Sequence, residues 1–158
     1  MKIFVTIIIA ILLSSCVPLP AQNIISPTFS GNDLGAGIRY DRQFGRYGIY
    51  VGGGYGRYDS DVSGIIENVM THAGVVKYIQ NNRMDEWINY FSIGVNGHHY
   101  RTIKEGYHPP AQSVYFPISF ELGVGCIINK RFNCGWTYDP IKKDVVVSMG
   151  YRFGFKTR

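Results

Sequence analysis

Four histidines and three cysteines are the side chains with the clearest chemical potential in this 158-residue chain. His98 and His99 are adjacent. On a strand, neighbours point to opposite faces, so the two cannot readily converge on one metal ion. Neither His72, His98, His99 nor His108 is followed two residues later by serine, the spacing that would aim a base and a nucleophile from one strand face at an ester. Gly52-Gly53-Gly54-Tyr55-Gly56 has the composition of a phosphate loop, but Arg57-Tyr58-Asp59-Ser60-Asp61 follows where a helix would have to begin. The reading is therefore of no catalytic constellation, no metal and no cofactor. Four charges, Arg39, Asp41, Glu121 and Arg152, and two cysteines, Cys126 and Cys134, remain to be explained by the elements that carry them.

Those elements read as strands. From Ser113 to Ile128 every even position is apolar, from Val114 through Phe120 and Leu122 to Ile128, while the odd positions are mostly small or polar. Such a run, at about 3.3 Å per residue, is longer than a soluble sandwich strand requires and long enough to cross a tilted bilayer. Val145, Val147, Met149, Tyr151, Phe153 and Phe155 repeat the pattern near the C-terminus, opposite Val146, Ser148, Gly150, Arg152 and Gly154. Leu34 to Tyr40 and Tyr47 to Tyr55 give weaker copies. Each of the four singled-out charges lies on the non-apolar side of its strand. Arg39, Asp41, Glu121 and Arg152 are thus expected to face a common interior and to pair with one another, with Gly52 opposite Arg39 leaving room for the guanidinium.

The first residues belong to a different kind of segment. Lys2 precedes an apolar run from Ile3 to Leu13 that is too short to span a bilayer, and Ser14-Ser15-Cys16 with Pro18 and Pro20 follows. This is the three-part pattern of a secretory signal, assigned to residues 1–21. Two cleavage sites compete: Leu13-Ser14-Ser15-Cys16 resembles a lipobox that would leave Cys16 lipidated, and Ala21 would end a conventional signal. Residues 22–158 then form one domain. In an oxidising compartment Cys126 and Cys134 are left as an even pair. A turn at Asn129-Lys130-Arg131 sets them directly cross-strand, in position for a disulfide if the pair is a non-hydrogen-bonded one. The alternative is two free thiols in small apolar positions.

Strands are expected at about 22–30, 33–44, 47–58, 71–80, 86–99, 113–128, 132–139 and 144–155, with Pro27 interrupting the first. Short turns at Gly45-Arg46, near Asn81-Asn82 and at Asn129-Lys130 alternate with long connections at Asp59–Met70 and Tyr100–Gln112. The reading is all-β, an eight-stranded antiparallel up-and-down transmembrane barrel with short turns at one end and long loops at the other. A net charge of +5 and a pI near 9.1 come with the acidic Asp59, Asp61 and Glu67, so no single basic face emerges and nucleic acid is not indicated.

This pattern, with its Tyr-Arg-Phe-Gly-Phe ending, resembles the small OmpA/OmpX-type barrels of Gram-negative outer membranes over nearly the whole mature chain. The resemblance implies an outer-membrane location and a final aromatic residue, here Phe155, read by the outer-membrane assembly machinery; Lys156-Thr157-Arg158 extends beyond it. A monomer is expected, surrounded by outer-membrane lipid, with Arg101, Lys104, Lys142 and Lys143 placed to meet lipopolysaccharide phosphates. The function expected is structural, in envelope integrity or in surface binding through the outer loops. Two alternatives stand beside it. One is a lipid A deacylase or acyltransferase; the other is a lipidated lipocalin-like barrel, in which Phe116, Phe120 and Leu122 would fill the lumen around an apolar ligand.

Overall fold

A computed structural model describes residues 22–31, 35–60, 64–80, 87–104, 111–115 and 117–154. The secretory segment with Cys16, and the terminal Phe155, lie outside these residues. The strands are β1 (Gln22–Ser30), β2 (Gly35–Phe44), β3 (Tyr47–Ser60), β4 (Gly64–Gln80), β5 (Trp87–Lys104), β6 (Ala111–Tyr115), β7 (Ile118–Ile128), β8 (Phe132–Asp139) and β9 (Asp144–Gly154). Each pairs antiparallel with its neighbours, and β1 closes on β9 while β4 closes on β5. Since among the described residues β6 pairs only with the end of β5 and leads past Pro117 into β7, the two form one wall strand. The result is a closed eight-stranded up-and-down barrel.

Pro27 does not remove the first strand. The β1–β2 ladder runs unbroken through Pro27↔Ile38, whereas the β1–β9 ladder skips Ser26 and Pro27. A proline has no N–H to give, so the missing rung falls on one side only. With β1 in place, Gln22 lies opposite both Gln43 and Gly154, so both ends of the described barrel share one rim with the Gly45-Arg46 turn.

Alternation decides which face is which. Along β7, Ile118, Phe120 and Leu122 are 71%, 43% and 47% exposed, while Ser119 and Glu121 between them are buried. Met149 and Tyr151 point out and Ser148 and Arg152 point in on β9. This overturns the lipocalin alternative, since Phe120 and Leu122 face outward; Phe116 lies outside the described residues. A closed barrel with an apolar wall and a polar lumen satisfies the strand edges where the wall meets lipid, the arrangement of an outer-membrane protein.

Two expected loops are corrected. Asp59–Met70 is not a long loop: β3 runs to Ser60 and β4 starts at Gly64, paired from Ser60↔Gly64 downward. Tyr100–Gln112 is also largely strand, with Tyr100↔Tyr115 through Lys104↔Ala111 paired. Above the bilayer both faces of a strand meet water, so pairing continues there without the apolar alternation that reveals it in sequence.

Candidate functional site

The lumen holds the four singled-out charges, but its partnerships differ from the expectation. Arg39 and Asp41 sit two apart on β2 and therefore on one face. Their side chains meet in a forked pair, Nη2 donating to Oδ1 at 2.7 Å and Nε to Oδ2 at 3.0 Å, with Arg39 only 2% exposed. The guanidinium carbon lies 3.8 Å from the centre of the Tyr50 ring. Tyr50 in turn donates its hydroxyl to Glu121 Oε1 at 2.5 Å, and His72 Nδ1 stands 3.5 Å from the same oxygen. Arg39 and Glu121 thus belong to one cluster, joined through the face of a tyrosine and not by an ion pair. Arg152 lies apart from it and donates to Gln43 Oε1 at 2.7 Å.

Glycines make the space for this cluster. An added Cβ at Gly94 would collide with the Tyr50 hydroxyl, and one at its cross-strand partner Gly74 would come within 2.6 Å of the same ring. Gly125 and Gly135, also opposite each other, make the same kind of slot for Tyr90. Gly52 does lie opposite Arg39, as the register predicts, but the space it leaves is taken by the His72 imidazole. Sequence reasoning missed Tyr50, His72 and Tyr90. Their signal was a large polar ring among lumenal glycines, legible for Tyr50 in Gly48-Ile49-Tyr50-Val51-Gly52.

Towards the outer rim the lumen stays polar. Asp139 accepts from Ser119, from Asn96 at 3.3 Å and from the backbone N–H groups of Ile141 and Lys142 at 2.9 Å each, which fixes the β8–β9 turn. Ser30 donates to Asp144 at 2.7 Å. His98 faces in, meeting Asn68 at 3.1 Å, and His99 faces out. From the β8–β9 turn Lys142 reaches across to Tyr100, donating to its hydroxyl with the ammonium 3.8 Å from the ring centre. The void between Thr28, His72, Asn96, His98, Glu121 and Asp139 measures about 20 Å³, room for roughly one water-sized sphere and far short of a channel.

Outside the wall, the register sets Arg57, Glu67 and Arg101 side by side on β3, β4 and β5, with both guanidinium groups 3.9 Å from the carboxylate. Arg101 is therefore half engaged by Glu67 before it meets any lipid phosphate. Cys126 and Cys134 are opposite each other, as predicted, but the disulfide is absent and both thiols are free. Register fixes two backbones and leaves the side-chain torsions open; here the thiols stand on the outward face, Cys134 beside Phe132 and Trp136.

No family model and no curated protein matches the sequence. Solved structures do. Neisserial surface protein A superposes with a TM-score of 0.59 at 12% identity, covering 85% of this chain and 96% of that one. The chain has the fold of the small eight-stranded outer-membrane barrels. The N-terminal β-barrel domain of Pseudomonas aeruginosa OprF gives 0.53 at 14% identity over 87% and 98%, and Ail, the attachment invasion locus protein of Yersinia pestis, gives 0.51 at 16% over 85% and 99%. In such barrels the short turns and both termini face the periplasm. By that rule the rim with Gly45-Arg46 and Asn129-Lys130-Arg131 is assigned to the periplasmic side, and the β3–β4 and β5–β6 hairpins to the outer side.

Proposed function

We propose that this barrel is a surface-binding scaffold whose contact element is the sheet formed by the outer parts of β3, β4, β5 and β6. The observation that carries this reading is the uneven height of the wall. Among the described residues the last β2–β3 pair is Gly35↔Gly56, whereas β3 and β4 stay paired for four further positions, from Arg57↔Glu67 to Ser60↔Gly64. At 3.3 Å per residue that carries the hairpin about 13 Å further along its strands than its neighbour, about 10 Å in height at the tilt of barrel strands. On the far side β5 continues past Gly97↔Ile118 to pair with β6. Among the described residues β3 has no partner on its β2 side beyond Gly56, and β6 none beyond β5. A raised sheet whose two edges have no partner among the described residues can accept an extended segment of another molecule by strand pairing, and the exposed Arg57 with Glu67 and Arg101 gives its outward face polar contacts. The similarity in fold to a protein named for attachment and invasion is in keeping with this reading. A lumenal activity is less well supported, because Arg39, Tyr50 and Glu121 are engaged with one another.

Replacing residues 58–66 by a two-residue turn tests it. The shortened barrel is expected to fold and reach the outer membrane but to lose binding to cell or matrix surfaces. Retained binding, together with its loss on neutralising Arg39 or Glu121, would move the function into the lumen.

A further inference from the structure

The outer wall carries an open groove of about 920 Å³ whose position follows from the register. One bank is the cross-strand row Tyr47, Lys77, Phe91, Val124, Trp136 and the other is Ile49, Val75, Ile93, Leu122, Tyr138. The floor is the row between them, Gly48, Val76, Ser92 and Gly123, all buried, which present no outward side chain and leave the backbone as the bottom of the furrow. Large outward side chains flank small inward ones, and a furrow results.

The furrow runs across five strands, about 19 Å at 4.8 Å per strand. Since barrel strands tilt by about 35–45°, a row crossing them climbs about 12 Å, close to one leaflet of a ~30 Å hydrocarbon core. It begins beside the periplasmic turn, at Tyr47, and ends part-way up the wall at Trp136. Charge is confined to its foot. Lys77 is exposed in one bank, and Arg42, the cross-strand partner of Ile49, begins the other, its guanidinium carbon 5.3 Å from the Phe44 ring centre. Among the described outward positions of the strands, the acids, Asp59 and Glu67, lie at the opposite, outer end.

From this geometry we infer a site for one anionic phospholipid of the periplasmic leaflet, an acyl chain lying in the furrow and its phosphate held between Lys77 and Arg42. Length, slope and the placing of two cations at the headgroup level all match that ligand, and they do not require a second protein. This inference is independent of what the raised sheet binds.

The test is native mass spectrometry of the folded barrel released from vesicles of equal phosphatidylglycerol and phosphatidylcholine with matched chains. One retained phosphatidylglycerol is expected, favoured by about ten- to thirty-fold if each cation contributes as basic residues at a lipid surface do. Lys77→Gln with Arg42→Gln should abolish the preference while leaving chain binding, and Ile93→Trp should abolish retention of both lipids. Heat-modifiable gel migration reports whether each variant has folded. Should Ile93→Trp fail to fold, a Trp87→Phe barrel leaves Trp136 as its single tryptophan, and brominated-chain phosphatidylglycerol should quench it more than the brominated phosphatidylcholine does. No preference in the wild type, a preference that survives the double substitution, equal quenching, or a lipid-free dimer in place of a lipid complex would each overturn the proposal.

Discussion

Arg39 and Asp41 show how a charge is tolerated inside a barrel whose lumen is nearly filled by its own side chains. Their forked pair lies on one strand, so it forms without depending on how the barrel closes, and Tyr50 covers the guanidinium face. Removing one member of such a pair leaves the other buried and uncompensated. Asp41→Ala is expected to cost about 3–5 kcal/mol in urea unfolding from lipid vesicles, and adding Arg39→Met should recover most of it. A cost below about 1 kcal/mol would mean that the guanidinium finds another partner. Sequence alternation was enough to place all four charges inward, because burial of one face sets the period. It could not say which charges would meet. Glu121 reaches Tyr50 and His72 from across the lumen, and Arg152 reaches Gln43, through distances that exist only once the barrel has closed.

At the scale of strands, the lumenal glycines are as specific as the side chains they receive. Gly74 and Gly94 oppose each other in the wall, and the Tyr50 ring fills the space both leave. A Cβ at Gly94 would also press on the carbonyl of Ala73, so the backbone itself must move. Gly94→Ala is expected to cost about 1–3 kcal/mol by overpacking, and less in a Tyr50→Ala background where the ring no longer occupies the slot. An equal cost in both backgrounds would assign the strain to the wall alone. The strands that were legible in sequence are those held between lipid and lumen, such as β7 and β9, where each face has its own chemistry. The outer parts of β3 to β6 were read as loops because water lies on both their faces, and paired backbone there leaves no periodic trace. Pro27 looked like a break for a related reason: its missing N–H affects the β9 side, while the β2 ladder that carries the strand is visible only in three dimensions.

For the whole molecule, the inverted pattern of exposure and the closed sheet jointly determine what the barrel can do. Apolar Phe91, Ile93 and Ile118 face out and Arg39, Asp41 and Glu121 face in, so a bilayer is the solvent that this surface fits. An eight-stranded barrel has an interior just wide enough for its own side chains. Here that interior is filled at several levels, by Tyr78 and Tyr90 nearer the periplasmic rim, by the Arg39–Tyr50–Glu121 cluster above them and by Lys142 over Tyr100 at the outer mouth. Blocking at several levels means that relaxing one is not sufficient to open a path. The refolded protein, verified by its heat-modifiable migration, is therefore expected to insert into planar bilayers without resolvable unitary current, and Lys142→Ala should leave it silent because the deeper layers remain. Discrete current steps in the wild type would show that the polar layers separate in the membrane, and transport through the lumen would then have to replace binding at the surface as the working account of this protein.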